Sequence, residues 1–189
     1  PETEELVEWI IESQKSKVQS QKLEILDIGT GTGCIPISLK TNLLQANVSA
    51  IDVSEKALEV AKRNAQSNKV EVNFIQTNIL EVEDLNQHFD IIVSNPPYVR
   101  NLEKQEIKKN VLDYEPHLAL FVEDTDALLF YRKIAQLALK NLSPNGLLFF
   151  EINQYLGKET VELLDNLGFK NIELKKDIYG NDRMIKCSI

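Results

Sequence analysis

Apolar residues recur at helical spacing over residues 3–13, where Leu6, Val7, Ile10 and Ile11 stand among acids. That pattern predicts a helix with one buried stripe. Residues 24–28 read as a short apolar strand, followed by Gly29-Thr30-Gly31-Thr32-Gly33 and a helix over about 34–44. Pro36 fits that helix because it falls in the first turn, where its missing N–H costs nothing. Residues 47–53 form a second strand that ends at Asp52. Ser54 is placed to cap the next helix, whose apolar stripe is Ala57, Leu58, Ala61 and Ala65. Residues 70–77 alternate as a third strand. Residues 89–94 are nearly all apolar, as expected of a strand covered on both faces.

The region 96–122 lacks clear periodicity and carries prolines, so it reads as a long loop with a short helix inside it. A helix over 126–141 follows, with Leu128, Leu129, Ile134, Leu137 and Leu139 mostly on one side. Then come a fifth strand at 147–152 and a helix at 159–167 closed by Gly168. Two last strands, 169–175 and 184–189, are joined through a hairpin-type turn at Tyr179-Gly180-Asn181-Asp182. Strand–helix alternation implies a mostly parallel sheet with helices on both faces, and the closing hairpin adds one antiparallel strand. The expected fold is therefore α/β, a seven-stranded Rossmann-like sheet in the order of the class I methyltransferases.

With 189 residues, 43% of them hydrophobic, the chain has material for one well-buried domain over 1–189 and little room for a second. A net charge of -8 disfavours nucleic-acid backbone as the main partner, since such a footprint needs a basic face. Cys34 and Cys187 are lone thiols with nothing to mark them as a pair, which suits a cytoplasmic protein. No run of 18 apolar residues and no basic-then-apolar start occurs, so neither a membrane partner nor an export signal is expected. Pro1 is not a natural initiator, and the chain reads as a fragment or processed product.

The glycine segment follows a buried strand and opens a helix, where glycines allow a sharp turn and close approach of a ligand to the backbone. Its spacing is G-x-G-x-G, because position 34 is cysteine rather than the glycine of a dinucleotide fingerprint. It also lacks the G-K-[ST] ending of a phosphate loop. Asp52 lies 19 residues beyond Gly33, at the end of the second strand, where a carboxylate accepts both hydroxyls of a ribose. A nucleoside ligand without phosphates fits this combination, and S-adenosylmethionine is such a ligand. Asp27 either orients the loop, meets the methionine amine of that ligand, or caps the turn backbone.

Asn95-Pro96-Pro97-Tyr98 follows the fourth strand, whose end opens on the ligand crevice if it neighbours the first. A planar, conjugated NH₂ is a poor nucleophile, and two acceptors on its two hydrogens both fix its plane and draw density onto nitrogen. The Asn95 side-chain oxygen and the Pro96 carbonyl can be those acceptors, and Pro96 has no N–H to compete. Tyr98 can stack on the flat group. Positioning and electrostatics then supply most of the rate.

These segments resemble the release-factor glutamine methyltransferases. The similarity runs in order through nearly the whole chain: Pro1-Glu2-Thr3-Glu4, residues 27–33, Asp52-Val53-Ser54, residues 94–98, Tyr114-Glu115-Pro116 with Ala119-Leu120, Phe130-Tyr131-Arg132 and Gly180-Asn181-Asp182-Arg183. The resemblance implies methyl transfer from S-adenosylmethionine to the side-chain nitrogen of the glutamine in the Gly-Gly-Gln loop of a peptide-chain release factor. It further implies that Gly29, Thr30, Gly31, Thr32, Gly33, Asp52, Ile79 and Asn95 contact the cofactor, with Ile79 near the adenine. Asn95, Pro96, Pro97 and Tyr98 would hold the glutamine amide. Asn78 stands where relatives frequently carry an acid, and the family's N-terminal helical domain is absent from this chain.

Other polar groups invite plainer readings. His88 and His117 lie in loops without the partners of a nucleophilic device or a zinc site. The acids of 2–12 form a solvated helix face, although Glu2 and Thr3 could reach the site. Tyr114-Glu115-Pro116 either folds over the substrate entrance or packs the loop onto the domain, and Gly180–Arg183 reads as turn chemistry. Lys104, Lys108 and Lys109 could steer an acidic or RNA-bound partner, but read first as a solvated face. An exocyclic amine of adenine or guanine in DNA or RNA poses the same chemical problem and is the alternative substrate, though such enzymes must also hold an extruded base. A catalytically idle cofactor-binding or scaffold domain would keep the glycine loop without needing Asn95 or Tyr98.

Overall fold

The structure is a computed structural model that describes residues 2–14, 22–97, 99–100, 121–122 and 126–189. Helix α1 spans Glu2–Gln14, α2 Cys34–Asn42, α3 Glu55–Ser67, α4 Leu129–Asn141 and α5 Gly157–Asn166. The strands are β1 Glu24–Ile28, β2 Asn47–Asp52, β3 Asn73–Gln76, β4 Phe89–Ser94, β5 Val99–Arg100, β6 Phe121–Val122, β7 Leu142–Glu151, β8 Lys170–Lys176 and β9 Asp182–Ser188.

Seven strands form one sheet in the order β3-β2-β1-β4-β7-β9-β8. The first five run parallel, and β9 is antiparallel to both β7 and β8. The expected seven-stranded, mostly parallel sheet with one antiparallel strand is what the chain forms. Strand order reverses between β1 and β4, so the carboxyl ends of those strands flank the crevice where open α/β sheets bind ligands.

The core lies in two layers because strand side chains alternate between faces. Ile25, Ile91, Val93, Phe149 and Met184 pack with Leu6, Val7 and Ile10 of α1 and Ile35 and Leu39 of α2. Leu26, Ile28, Ile92, Leu148, Phe150 and Ile185 pack on the other face with Tyr131 and Ile134 of α4 and Leu164 of α5. Tyr131 meets Phe150 edge to face at 5.2 Å between ring centroids. The apolar stretches Ile25-Leu26 in β1, Ile91–Val93 in β4 and Leu148–Phe150 in β7 thus reflect burial on both sides.

The differences from the sequence reading fall at element ends. Strand β3 is shorter than 70–77, because Val70 N donates to Ala65 O in the last turn of α3 and Lys69 turns with φ 56°. Strand β7 begins at Leu142 rather than 147; Leu142 pairs with Phe89 across an irregularity before the regular register resumes at Ile91 and Leu147. Helix α2 stops at Asn42, where Lys40 Nζ donates to the carbonyls of Leu44 and Ala46. Helix α4 starts at Leu129 instead of 126, since Asp126 remains outside it as the carbonyl acceptor for Leu129 N and the carboxylate partner of Arg132. Strands β5 and β6, unforeseen in the sequence, pair in parallel. The short helix expected between them falls on residues outside those described.

Candidate active site

The glycine turn is built by backbone contacts to β2. Gly29 N and Thr30 N both donate to Ile51 O, at 2.8 and 3.0 Å. Asp52 then closes the turn: Oδ2 accepts from Gly31 N at 2.8 Å and Oδ1 accepts from Ser54 N at 2.8 Å. One carboxylate therefore locks the glycine loop to the start of α3. Each oxygen keeps acceptor capacity beyond the single bond it makes. Ser54 Oγ accepts from Ala57 N, so the cap foreseen in the sequence is present.

The glycines do different things. A Cβ added at Gly29 or Gly31 would meet nothing within 4 Å, so the turn faces open space. At Gly33, with φ +83°, the same atom would lie 3.0 Å from Ala61 Cβ and 3.1 Å from Ile37 Cδ1. Gly33 therefore lets α2 and α3 close on one another, whereas Gly31 leaves room for a ligand.

Asp27 is fully buried, and among the described residues neither of its oxygens has a hydrogen-bond partner. Burial pushes its carboxyl up to about 7; the Thr30 hydroxyl opposes that without closing a well-formed hydrogen bond, and the charge of Asp52 adds to it. An unsatisfied buried carboxyl costs free energy unless a partner arrives. Of the roles open in the sequence, capping the turn backbone is excluded by this geometry.

Strand β4 neighbours β1, with Ile28 beside Ser94, and Ser94 Oγ donates to Ile28 O at 2.6 Å. That bond ties the two strand ends together at the crevice. Asn95 and Pro97 follow half-buried and Pro96 buried. Asn95 and Pro96 are thus brought to the same sheet edge as the glycine turn and Asp52; Tyr98 lies outside the described residues. Ile79 is 8% exposed at the start of a single 3₁₀ turn, which Asn78 caps by accepting from Leu80 N through Oδ1. Thr77 N donates to Asp52 O, which hangs this turn beside the crevice.

One part of the edge was not foreseen. Glu151, the last residue of β7, is buried and accepts from Thr3 Oγ1 at 2.9 Å. The only sequence signal was a single carboxylate within the otherwise apolar run 147–152. Thr3 does reach the edge, as the sequence allowed. Gly180 to Arg183 form turn chemistry: Asp177 Oδ1 accepts from Tyr179 N and Asn181 N, and Arg183 pairs with Asp177 at 3.3 Å. His88 is exposed, and His117, Tyr114-Glu115-Pro116, Lys104, Lys108 and Lys109 lie outside the described residues. Among the described residues no group of His, Cys, Asp and Glu could hold a metal ion, and no helix is long and apolar enough to cross a membrane.

The chain is 71% identical over its whole length to the release factor glutamine methyltransferase of Flavobacterium psychrophilum and 45% identical to that of Bacteroides thetaiotaomicron, in each case spanning 66% of the relative's own length. Among solved structures it resembles the human methyltransferase 10 domain containing protein with a TM-score of 0.70 at 16% identity, over 100% of this chain and 82% of that one, a likeness of fold. The family described as Methyltransferase small domain matches residues 9–117, more than half of the sequence, and the chain belongs to that family.

Proposed function

We propose that this protein transfers a methyl group from S-adenosylmethionine to the side-chain amide nitrogen of the glutamine in the Gly-Gly-Gln loop of a peptide-chain release factor. The observation that carries the reading is the convergence of Asn95 and Pro96 with the glycine turn, Asp27 and Asp52 at the reversal of strand order. The names of the two bacterial relatives supply the acceptor.

The residues present fit the cofactor. Open space over Gly29 and Gly31 accommodates a ligand close to the backbone, and Asp52 has acceptor capacity left for ribose hydroxyls. The Asp27 carboxyl, without a hydrogen-bond partner among the described residues, suits a cationic amine. Ile79 would line the adenine side, and Thr30 and Thr32 complete the loop. Bound there, S-adenosylmethionine supplies an electrophilic methyl group on a sulfonium.

The chain's own work is on the acceptor. Asn95 Oδ1 and the Pro96 carbonyl each accept one N–H of the glutamine amide, which holds its plane and raises the density on nitrogen. Pro97 fixes the backbone that presents them, and Tyr98 is assigned the stacking face. Replacing Asn95 by Ala should lower turnover by about 10²–10³-fold, by analogy with losing one preorganised polar contact. Cofactor affinity, measured by calorimetry, should change little. A fully active Asn95→Ala protein would remove the assigned role, and methyl label appearing on RNA or DNA instead of a release factor would replace the substrate.

A further inference from the structure

The register of two neighbouring strands brings Glu151 to the level of Asn95. Strands β4 and β7 run parallel with Ile92 opposite Leu148, Val93 opposite Phe149 and Ser94 opposite Phe150. The next step along both strands places Asn95 opposite Glu151. Asn95 precedes a proline, which disfavours the helical region and keeps the chain extended there. Side-chain alternation therefore carries through it.

Val93 and Phe149 belong to the layer that faces α1 and α2, while Ile92, Leu148 and Phe150 belong to the opposite layer. Two residues further on, Asn95 and Glu151 both return to the α1 face. The hydrogen bond from Thr3 of α1 to Glu151 Oε2 shows this directly for Glu151. Neighbouring strands lie about 4.8 Å apart, so the two side chains are within reach of one another.

The chemistry of the pair is asymmetric. A carboxamide can present either its oxygen or its NH₂ to the crevice, and only the oxygen can receive an N–H of an acceptor amide. An ionised carboxylate can only accept. We propose that Glu151 is a positioning residue for Asn95: its carboxylate, anchored by Thr3, takes the Asn95 Nδ2–H and so turns Oδ1 toward the acceptor nitrogen. The proposal rests on the role given to Asn95 above.

No hydrogen bond joins the two side chains in this structure, and such contacts commonly tighten only when the substrate is in place. The anchor itself is built: Glu151 is 4% exposed and holds Thr3 Oγ1, while Arg183 hydrogen-bonds Asp177 and Ile152 O and reaches Glu151 only through its charge.

The test uses the full-length protein, a release factor and isotopically labelled S-adenosylmethionine. Glu151→Gln keeps the shape and an oxygen for Thr3 but offers an NH₂ where an acceptor-only group stood. The expected result is a kcat lower by about 10- to 100-fold, with cofactor Kd and Tm near those of the parent. Glu151→Asp should recover part of that loss, because the acceptor-only character returns. Thr3→Val, which frees the carboxylate without altering it, should lower kcat by a smaller factor and serves if Glu151→Gln does not fold. In an Asn95→Ala background Glu151→Gln should add no further loss.

An unchanged kcat in Glu151→Gln, or an equal loss with and without Asn95, would overturn the proposal. A fully active Asn95→Ala protein would instead strike the functional reading beneath it.

Discussion

Two alanine substitutions, two residues apart, separate the uses of glycine in the turn: Gly31→Ala and Gly33→Ala. Both positions have positive φ, +54° and +83°, so each alanine takes a left-handed backbone conformation that costs about 1–2 kcal/mol. At Gly33 the new Cβ also meets Ala61 Cβ at 3.0 Å, its Cα at 3.3 Å and Ile37 Cδ1 at 3.1 Å. Backbone cannot move aside as a flexible side-chain tip can, so overpacking adds about 1–3 kcal/mol. At Gly31 nothing lies within 4 Å, and only the conformational cost applies. For a domain of this size each kcal/mol lowers Tm by about 2–4 °C. Gly33→Ala should therefore melt several degrees below Gly31→Ala, by calorimetry or circular dichroism without ligand. Cofactor binding should reverse the ranking. A methyl group in the open space over Gly31 intrudes on the ligand and should weaken binding at least about 10-fold, equivalent to 1.4 kcal/mol. Equal melting temperatures would refute the packing role of Gly33, and parental cofactor affinity in Gly31→Ala would move the ligand off the turn.

Two more predictions follow from the carboxylates. Asp52→Ala should weaken cofactor binding and loosen the turn, because Gly31 N and Ser54 N both lose their acceptor; calorimetry reads the first and hydrogen exchange of Gly31 and Ser54 the second. Asp27 has its pKa raised from 3.8 to about 7, so the folded protein holds a proton that the unfolded chain releases. Its contribution should make the ligand-free protein less stable as pH rises from about 4 to about 7 and then level off, by on the order of a few kcal/mol. Asp27→Asn should flatten that decline in urea unfolding; an unchanged pH dependence would mean that the carboxyl is satisfied in solution.

The sheet was legible in the sequence because its signals are local. Residues 24–28 and 89–94 are mostly apolar, as burial on both faces favours. Ser54 announced a cap, and the cap formed. Element ends were less legible, since long-range contacts decide them. Leu142 joins β7 only because Phe89 offers a partner, and Val70 leaves β3 because Ala65 O claims its N–H.

The site divides in the same way. Gly29 to Gly33, Asp52 and Asn95-Pro96 form short motifs at strand ends, and the topology brings those ends together. The second use of Asp52, as the lock of the glycine turn, depends on how the turn folds back on β2 and leaves no mark on spacing. Glu151 and Thr3 meet across 148 positions, beyond any pattern in a sequence window.

The central claim is that Asn95 and Pro96 grip a conjugated NH₂ beside the cofactor pocket and that this NH₂ belongs to a glutamine. Peptide mass spectrometry of a release factor after reaction with the full-length protein and S-adenosylmethionine tests it most directly. The account predicts one added methyl group, on the side-chain nitrogen of the glutamine in the Gly-Gly-Gln loop. A methyl group on any other residue, or an unmodified release factor beside methylated nucleic acid, would contradict it.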